Sequence, residues 1–504
     1  MPAQTVPIDF AETDPVAPRA LNLSLRIDST IPSAIQARVT YAFRVFAAIY
    51  GYRVADSGPE SQSVRVFYGP LPTNKNADTE ILIPALYDGA REHVSSSPRT
   101  KPIPFRLAGE TIPLFLGLDS AEKKPDWLGE IFLWLSGELE SYANLRDAVG
   151  RVPFEGTPFG RFGLSPRKPY AALLMAGLEY AIRGNKISAL PKAPSPLASA
   201  AHLVLPSHDI DFYFDGRRSA FVRLAKNIGI GARTYRSSSY CFDNLQLLSS
   251  LLAGKRPGSY LFPLLNAAES AGFRSTLFPV VRRAHRRDPN YSLESIASSI
   301  ANALAKGFSV GLHGSYRSVA EERSLRSEAT RFGERFGKRP KANRQHWLRF
   351  ASQRALFREV EIAGMLADSS IGFPETVGFR NGASFAFPPY DFDKERPHRL
   401  LEVPLVLMDG GLEAEARRLG TSPAEIAEEV LTQSRNMGWG GISILWHNPI
   451  EPLSVPGQIN DVFWQLAADR RSHTEAWLTF EEFLNAAVPR YQQAGLLEGV
   501  PVHA

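Results

Sequence analysis

After residue 200 the chain repeats one pattern: a short apolar run, a stop at an ionisable residue, then an amphipathic stripe with helix caps. Leu203-Val204-Leu205 leads into His208-Asp209-Ile210-Asp211, Phe308 to Leu312 stops at His313, Glu402 to Leu407 leads to Met408-Asp409, and Ile442 to Leu445 leads to Trp446-His447. Between them, Ser292 stands where an N-cap belongs, and Leu293, Ile296, Ile300 and Leu304 form one helical face ended by Gly307. Leu325, Ala329, Phe332 and Phe336 mark a second stripe closed by Gly337 and Pro340, and Ser422-Pro423-Ala424-Glu425 reads as a capping box opening a third helix that runs to Gly438. Such alternation builds a parallel sheet or a (β/α) barrel, where functional groups stand at the C-terminal ends of strands. A core-only explanation would scatter these ionisable residues; their shared position favours a site.

At 504 residues the chain is too long for one ordinary core. The stretch Lys186 to Ala200, KISALPKAPSPLASA, has three prolines and no amphipathic period, so it reads as a linker. The predicted organisation is an N-terminal α/β domain over 1–185, the linker over 186–200, a (β/α) barrel over 201–490 and a tail over 491–504. In the first part the apolar runs Val64 to Tyr68, Ile81 to Ile83 and Ile112 to Leu116 alternate with helical stretches at Ile35 to Tyr50 and Trp127 to Tyr142. Its densest polar stretch, GELESYANLRDAVGR, reads as a solvated helix end with a salt-bridged loop, or alternatively as a docking or substrate-facing surface.

Several function classes fall away. Lys+Arg 57 against Asp+Glu 52 leaves a net +5, too little basic excess for a dedicated nucleic-acid binder of this size. A lone Cys241 permits no internal disulfide and no paired-cysteine zinc site. The opening MPAQTVPIDFAETDP does not read as a signal peptide, and Glu179 interrupts the apolar run Ala171 to Ile182, so a cytoplasmic protein without a transmembrane segment is expected. Gly229-Ile230-Gly231 lacks the context of a nucleotide cradle and reads as a flexible loop. The run Arg282-Arg283-Ala284-His285-Arg286-Arg287 is either a solvated loop or a binder of phosphates or anionic glycans.

Two Asp-x-Asp pairs occur, about what chance allows, and only Asp209/Asp211 follows an apolar strand; Asp391/Asp393 reads as a solvated turn. Carboxylate oxygen and neutral imidazole nitrogen together make a normal shell for Zn²⁺ or another first-row divalent metal. A metal beside a carboxylate base and an opposing histidine is a hydrolytic device. Asp209, Asp211, His313 and His447 supply the residue types for all of it.

The motifs SHDID, GLHGSY, NRQHW, LADSSIGF, LEVPLVLMD and LWHNPIE occur in the order seen in polysaccharide deacetylases of the NodB-like superfamily, and the chain resembles the branch with HDVD and GLHPSY motifs and an extra N-terminal domain. The resemblance covers roughly 201–450. It implies a distorted (β/α)7 barrel, a divalent metal (zinc first, another first-row metal as alternative), and removal of acetyl groups from N-acetylated sugars. It also implies Asp209 as catalytic base, Asp211 and His313 as metal ligands, Arg344 as the arginine orienting the base, and His447 as general acid. One departure stands out: the second metal histidine would be residue 317, which is Arg317, so His346 is the candidate replacement. Tyr316 and Arg317 are then expected at the substrate, as are Arg380 and Asn381 of GFRNG. His208 reads as a partner of the site or a plain strand-end residue. A carbohydrate is the expected partner. Two alternatives stay open: a catalytically degenerate glycan-binding barrel, and a metal-dependent hydrolase of a small non-sugar amide.

Overall fold

The structure, a computed structural model, describes residues 22–55, 63–71, 80–88, 101–120, 123–184, 189–211, 213, 217–230, 232–233, 238–254, 261–289, 291–321, 323–447 and 459–501. His93, His503 and Asn448 to Glu451 of the last motif lie outside the described residues. No helix among the described residues is long and apolar enough to cross a membrane.

The N-terminal part opens with β1 (Asn22–Ile27), α1 (Ser33–Tyr50), β2 (Arg53–Val54), β3 (Ser63–Gly69) and β4 (Glu80–Pro84), whose strands form a parallel sheet in the order β2-β1-β3-β4. Helix α1 is apolar on most sides and is stopped by Gly51, whose φ of 73° turns its N–H back onto the last carbonyls. A hairpin of β5 (Ile103–Leu107) and β6 (Glu110–Leu114) follows, then α2 (Trp127–Leu135), α3 (Glu138–Ser141), α4 (Pro158–Phe162) and α5 (Tyr170–Ile182). Asp126 caps α2 through the Gly129 N–H at 2.8 Å. The helical stretch predicted over Trp127 to Tyr142 is two helices, because Gly137 between them takes φ 68°.

The alternation predicted after residue 200 is present. Strand β7 (His202–Ile210) is followed by α6 (Arg217–Ile230), α7 (Ser238–Leu252), α8 (Leu261–Ser270), β8 (Thr276–Pro279), α9 (Leu293–Ala305), β9 (Ser309–Val310), β10 (Leu312–Gly314), α10 (Ser324–Phe336), β11 (Ala342–Gln345), α11 (Gln353–Ile362) and β12 (Ala367–Asp368). A short hairpin, β13 (Tyr390–Asp391) and β14 (Arg396–Pro397), precedes β15 (Leu401–Glu402), β16 (Leu405–Met408), α12 (Asp409–Leu419), α13 (Pro423–Met437), β17 (Gly440–Leu445), α14 (Ile459–Asp469), β18 (Glu475–Trp477) and α15 (Phe480–Gln493). Ser292 caps α9 with a reciprocal Ser295 box. Ser422 caps α13 through the Ala424 N–H, one residue short of the box expected. Gly229, expected in a loop, lies in α6; Gly231 is outside the described residues.

The result is a mixed α/β body with parallel strands and, among the described residues, no closed sheet. One parallel sheet runs β16-β17-β7-β8-β9, with β18 also on β7; a second runs β10-β11-β12-β15. The two meet where a strand is interrupted. Gly311 separates β9 from β10, at a spot where a Cβ would stand 2.4 Å from the Phe278 ring. Pro404, which has no N–H to give a ladder, separates β15 from β16.

Among the described residues two large apolar clusters hold most of the core. One joins Val204, Leu277, Leu312, Val406 and Ile442 to α8 through α14. The other joins the N-terminal elements to Phe385, Trp439 and α15, and it takes in Ala193, Leu197 and Ala200 of the predicted linker and Leu496, Leu497 and Val500 of the predicted tail. Ala193 exchanges backbone hydrogen bonds with Met437 and Trp439, and Arg490 donates to the Pro194 and Ser195 carbonyls.

Candidate functional site

Parallel strands put their C-terminal ends on one side, and there the predicted residues converge. Side chains alternate along β7, so Ser207, Asp209 and, just past its end, Asp211 share a face while His208 takes the other. His208 is fully buried against the Phe463 ring with Nδ1 3.0 Å from the Trp446 carbonyl. Burial pushes its pKa down to about 4, so it is a neutral core histidine. Arg344 lies on β11, and His346 opens the 3-10 turn just past its end.

Each of the three clustered histidines spends Nδ1 on an outer acceptor. His313 Nδ1 lies 2.8 Å from the Arg344 carbonyl, His346 Nδ1 3.1 Å from Asp288 Oδ1, and His447 Nδ1 2.8 Å from Asp409 Oδ1. These acceptors assign the proton to Nδ1, which leaves Nε2 facing inward. His313 Nε2 stands 3.5 Å from Asp209 Oδ2 and 3.6 Å from Asp211 Oδ1; His346 Nε2 is 3.6 Å and His447 Nε2 4.0 Å from Asp211 Oδ2. Ligand atoms of Asp211, His313 and His346 all lie within 4.8 Å of one another, and Asp211 Oδ1 is buried without a hydrogen-bond donor. One carboxylate oxygen and two inward imidazole nitrogens fit a first-row divalent cation with positions left open. His346, the candidate replacement for residue 317, is one of these three.

The ionisation states differ by design of their partners. Burial alone would raise the Asp211 carboxyl, yet His346, His313 and His447 hold it well below the usual carboxylate range. His313 is lowered, chiefly by burial, so it is a neutral ring. For His447 burial acts downward, but Asp409's charge and hydrogen bond, with Asp211 and Asp209 behind them, push it up to about 10. His346 is likewise pushed up to about 9 against burial, by Asp211 first and then Asp288; cation binding at Nε2 must displace that proton.

Arg344, fully buried over the Phe278 ring, donates to Asp209 Oδ1 at 3.3 Å, to the Ser207 and Ser443 hydroxyls at 2.8 Å each, and to the Ser369 carbonyl and hydroxyl at 2.9 Å each. Sequence reasoning missed Asp288, which directly follows the basic run at Arg287. It saw Asp409 at a strand end without its partner His447.

Not every expected residue is here. Arg380 makes a two-pronged pair with Glu140 (2.9 and 2.7 Å) and donates to the Gly372 and Val152 carbonyls. Asn381 exchanges hydrogen bonds with Gln353 and donates to the Leu135 carbonyl. Both are buried where the two parts of the chain meet, and none of these bonds reaches the Asp/His group. Glu138 and Glu140, read as a solvated helix end, are buried in the same joint; Asp147 and Arg151 do form the expected salt-bridged loop, at 2.7 Å. Arg317 is exposed, 3.6 Å from Glu321. Tyr316 is buried beside the centre, its N–H on Asp288 Oδ1 at 2.7 Å. A second converging group, Glu361, Asp391 and His398, already has its carboxylates engaged by Arg396, Lys394 and the Arg399 N–H. Asp391 is correspondingly buried within a turn, not solvated.

No family model and no curated protein matches the chain. Among solved structures it is similar to the polysaccharide deacetylase Bc1974 from Bacillus cereus, at 12% identity over 55% of this chain and 92% of that one, with a TM-score of 0.28. It is also similar to a mutant of the peptidoglycan deacetylase PdaC from Bacillus subtilis, at 8% identity over 58% of this chain and 94% of that one, with a TM-score of 0.27. Scores this low assign no role to any residue, and the site is read from its own geometry.

Proposed function

We propose that the chain is a metal-dependent hydrolase that removes the acetyl group from an N-acetylated sugar during polysaccharide biosynthesis or modification. The observation that carries the reading is the convergence of Asp211, His313 and His346 beside an arginine-bound Asp209 and an aspartate-bound His447. In this reading the two parallel sheets are arcs of one distorted (β/α)7-type barrel, joined through the Val280–His313 bridge and the Val403 and Leu405 hydrogen bonds to β12 and its loop. The barrel is taken as residues 201–490, and 1–185 as an N-terminal domain sharing an apolar cluster with it. The cytoplasmic location expected from the sequence belongs to the same reading.

Asp211, His313 and His346 hold the cation, zinc first. A divalent cation there supplies Lewis acidity toward water and an amide carbonyl. Asp209, kept in place by Arg344, takes the proton of the attacking water. His447, cationic because Asp409 stabilises its charge, gives a proton to the departing amine nitrogen. The test is acetate release from N-acetylated oligosaccharides by zinc-loaded protein. Asp209→Asn is expected to abolish it, and an unchanged rate in that variant removes the mechanism. Turnover confined to acylated small amines moves the activity to a small-amide hydrolase; glycan binding that persists with chelator, without turnover, makes the barrel a binder.

A further inference from the structure

We propose that the loop 282–287, with Tyr316, Trp347 and Arg349, makes this site selective for a sugar carrying an anionic group, a carboxylate or a phosphate; the inference rests on the reading of the site as one that takes a sugar. The loop is tied to the centre by one side chain. Asp288 Oδ2 accepts from the Ala284 and His285 N–H groups at 2.9 and 2.7 Å, while its Oδ1 accepts from the Tyr316 N–H and from His346 Nδ1. The carboxylate that orients a cation ligand therefore also sets the path of a loop rich in arginine.

These cations gather on aromatic faces. The Arg287 guanidinium lies 5.1 Å from the Tyr316 ring centre and 5.3 Å from that of Trp347, and it donates to the Tyr316 hydroxyl. Arg349 covers the Tyr316 ring at 4.5 Å, and His285 stacks on the same ring at 4.6 Å. Arg286, Arg287 and Arg349 form no ion pair with a described carboxylate, and Arg317 has only its 3.6 Å contact with Glu321. The unbalanced charge reaches His285, whose pKa is lowered by desolvation first and then by Arg317, Arg286 and Arg287 against Asp288. Guanidinium groups gathered around one aromatic ring and the loop beside it, three of them without an ion pair to a described carboxylate, attract an anion.

The rim also offers a surface for a sugar ring. Trp347 follows His346 directly and is 45% exposed. Its φ of 66°, followed by 48° at Leu348, is a left-handed pair without glycine. Such backbone costs energy and persists where its surroundings hold it. Here Arg151 donates to the Trp347 carbonyl at 2.6 Å, and Arg349 donates to the Val149 and Tyr316 carbonyls. An exposed indole beside guanidinium groups that form no ion pair with a described carboxylate suits the apolar face of a sugar with a charged substituent.

The test is calorimetric binding to a neutral N-acetylglucosamine trisaccharide, to the same trisaccharide bearing a glucuronate, and to a nucleoside-diphosphate N-acetylhexosamine, using intact protein. The charged probe is expected to bind about tenfold tighter than the neutral one. That preference should disappear in Arg287→Gln and in Arg286→Glu, an exposed position, and shrink between roughly 50 and 200 mM salt. Which charged probe keeps the preference identifies carboxylate or phosphate as its source. Equal binding of neutral and charged probes, or an unchanged preference in Arg286→Glu and Arg287→Gln, overturns the inference. Acetate release measured in parallel separates the two claims. Charge-selective binding without turnover of any probe sinks the hydrolase and leaves the selectivity; turnover without charge preference does the reverse.

Discussion

Replacing Arg344 by methionine keeps much of the stem's volume and removes the guanidinium from a position with no solvent exposure. Its hydrogen-bond partners are not equally affected. The Ser207 hydroxyl also reaches the Ile444 carbonyl at 2.9 Å, and the Ser443 hydroxyl reaches the Leu205 carbonyl at 3.3 Å. Asp209 Oδ1 has no comparable substitute, so the main loss is a buried carboxylate left without its cation. At 3.3 Å the attraction is about 5 kcal/mol for an effective dielectric near 20. Breaking one partner of a buried pair costs about 3–5 kcal/mol in general. Arg344→Met is therefore expected to lose about 3–5 kcal/mol in urea unfolding, and adding Asp209→Asn should restore about 1–3 kcal/mol, because no ion then stays unpaired. A double variant as unstable as the single one would show that Arg344 does not hold Asp209 and would refute the reasoning.

Purified protein should retain close to one equivalent of a first-row divalent metal by elemental mass spectrometry, and Asp211→Ala should lose it; equal content in both removes Asp211 from the centre. Asp409→Asn takes away the charge and hydrogen bond that keep His447 near 10, so its titration by NMR should fall about 1–3 pH units, and no change would separate the pair. Burial alone would raise Glu361, but His398, the Arg399 N–H and Arg396 hold it well below its ordinary value. A depressed folded-state pKa contributes stability above about pH 4.3, the unfolded value, that is lost as the solution is acidified further. Glu361→Gln should therefore flatten the acid limb of unfolding free energy against pH, and superimposable limbs would contradict the assignment.

The strand ends were legible because a parallel strand buried on both faces reads as an apolar run, and the residue where the run stops marks one end of the sheet. That reasoning placed Asp209, Asp211, His313 and His447 together, while Arg344 came in through the family resemblance and His346 as the candidate replacement for residue 317. Where partners come from distant loops, no local pattern reveals them. Arg380 of GFRNG is expected at the substrate, in a segment where Gly382 takes φ 65°. Its guanidinium, however, goes to Glu140, 240 positions away, and the same pair buries a helix end that looked solvated. The interruptions at Gly311 and Pro404 were visible as residues, but not as the seams between two sheets.

The outer acceptors divide the work among three chemically identical rings. A backbone carbonyl cannot stabilise imidazolium as a carboxylate does, so His313, anchored on the Arg344 carbonyl, stays neutral inside the protein. Asp288 and Asp409 each put a negative charge behind a ring and raise its basicity. In the proposed reading that basicity serves a cation at His346, whose Nε2 faces Asp211, once the proton leaves, and His447, 4.0 Å from the same carboxylate, keeps its proton as a donor. Exchanging the acceptors should exchange the behaviours. In Asp288→Asn, His346 should titrate lower and bind metal more weakly, while His447 is left as it was; a parallel fall in both histidines would mean that they share one field and not two separate anchors.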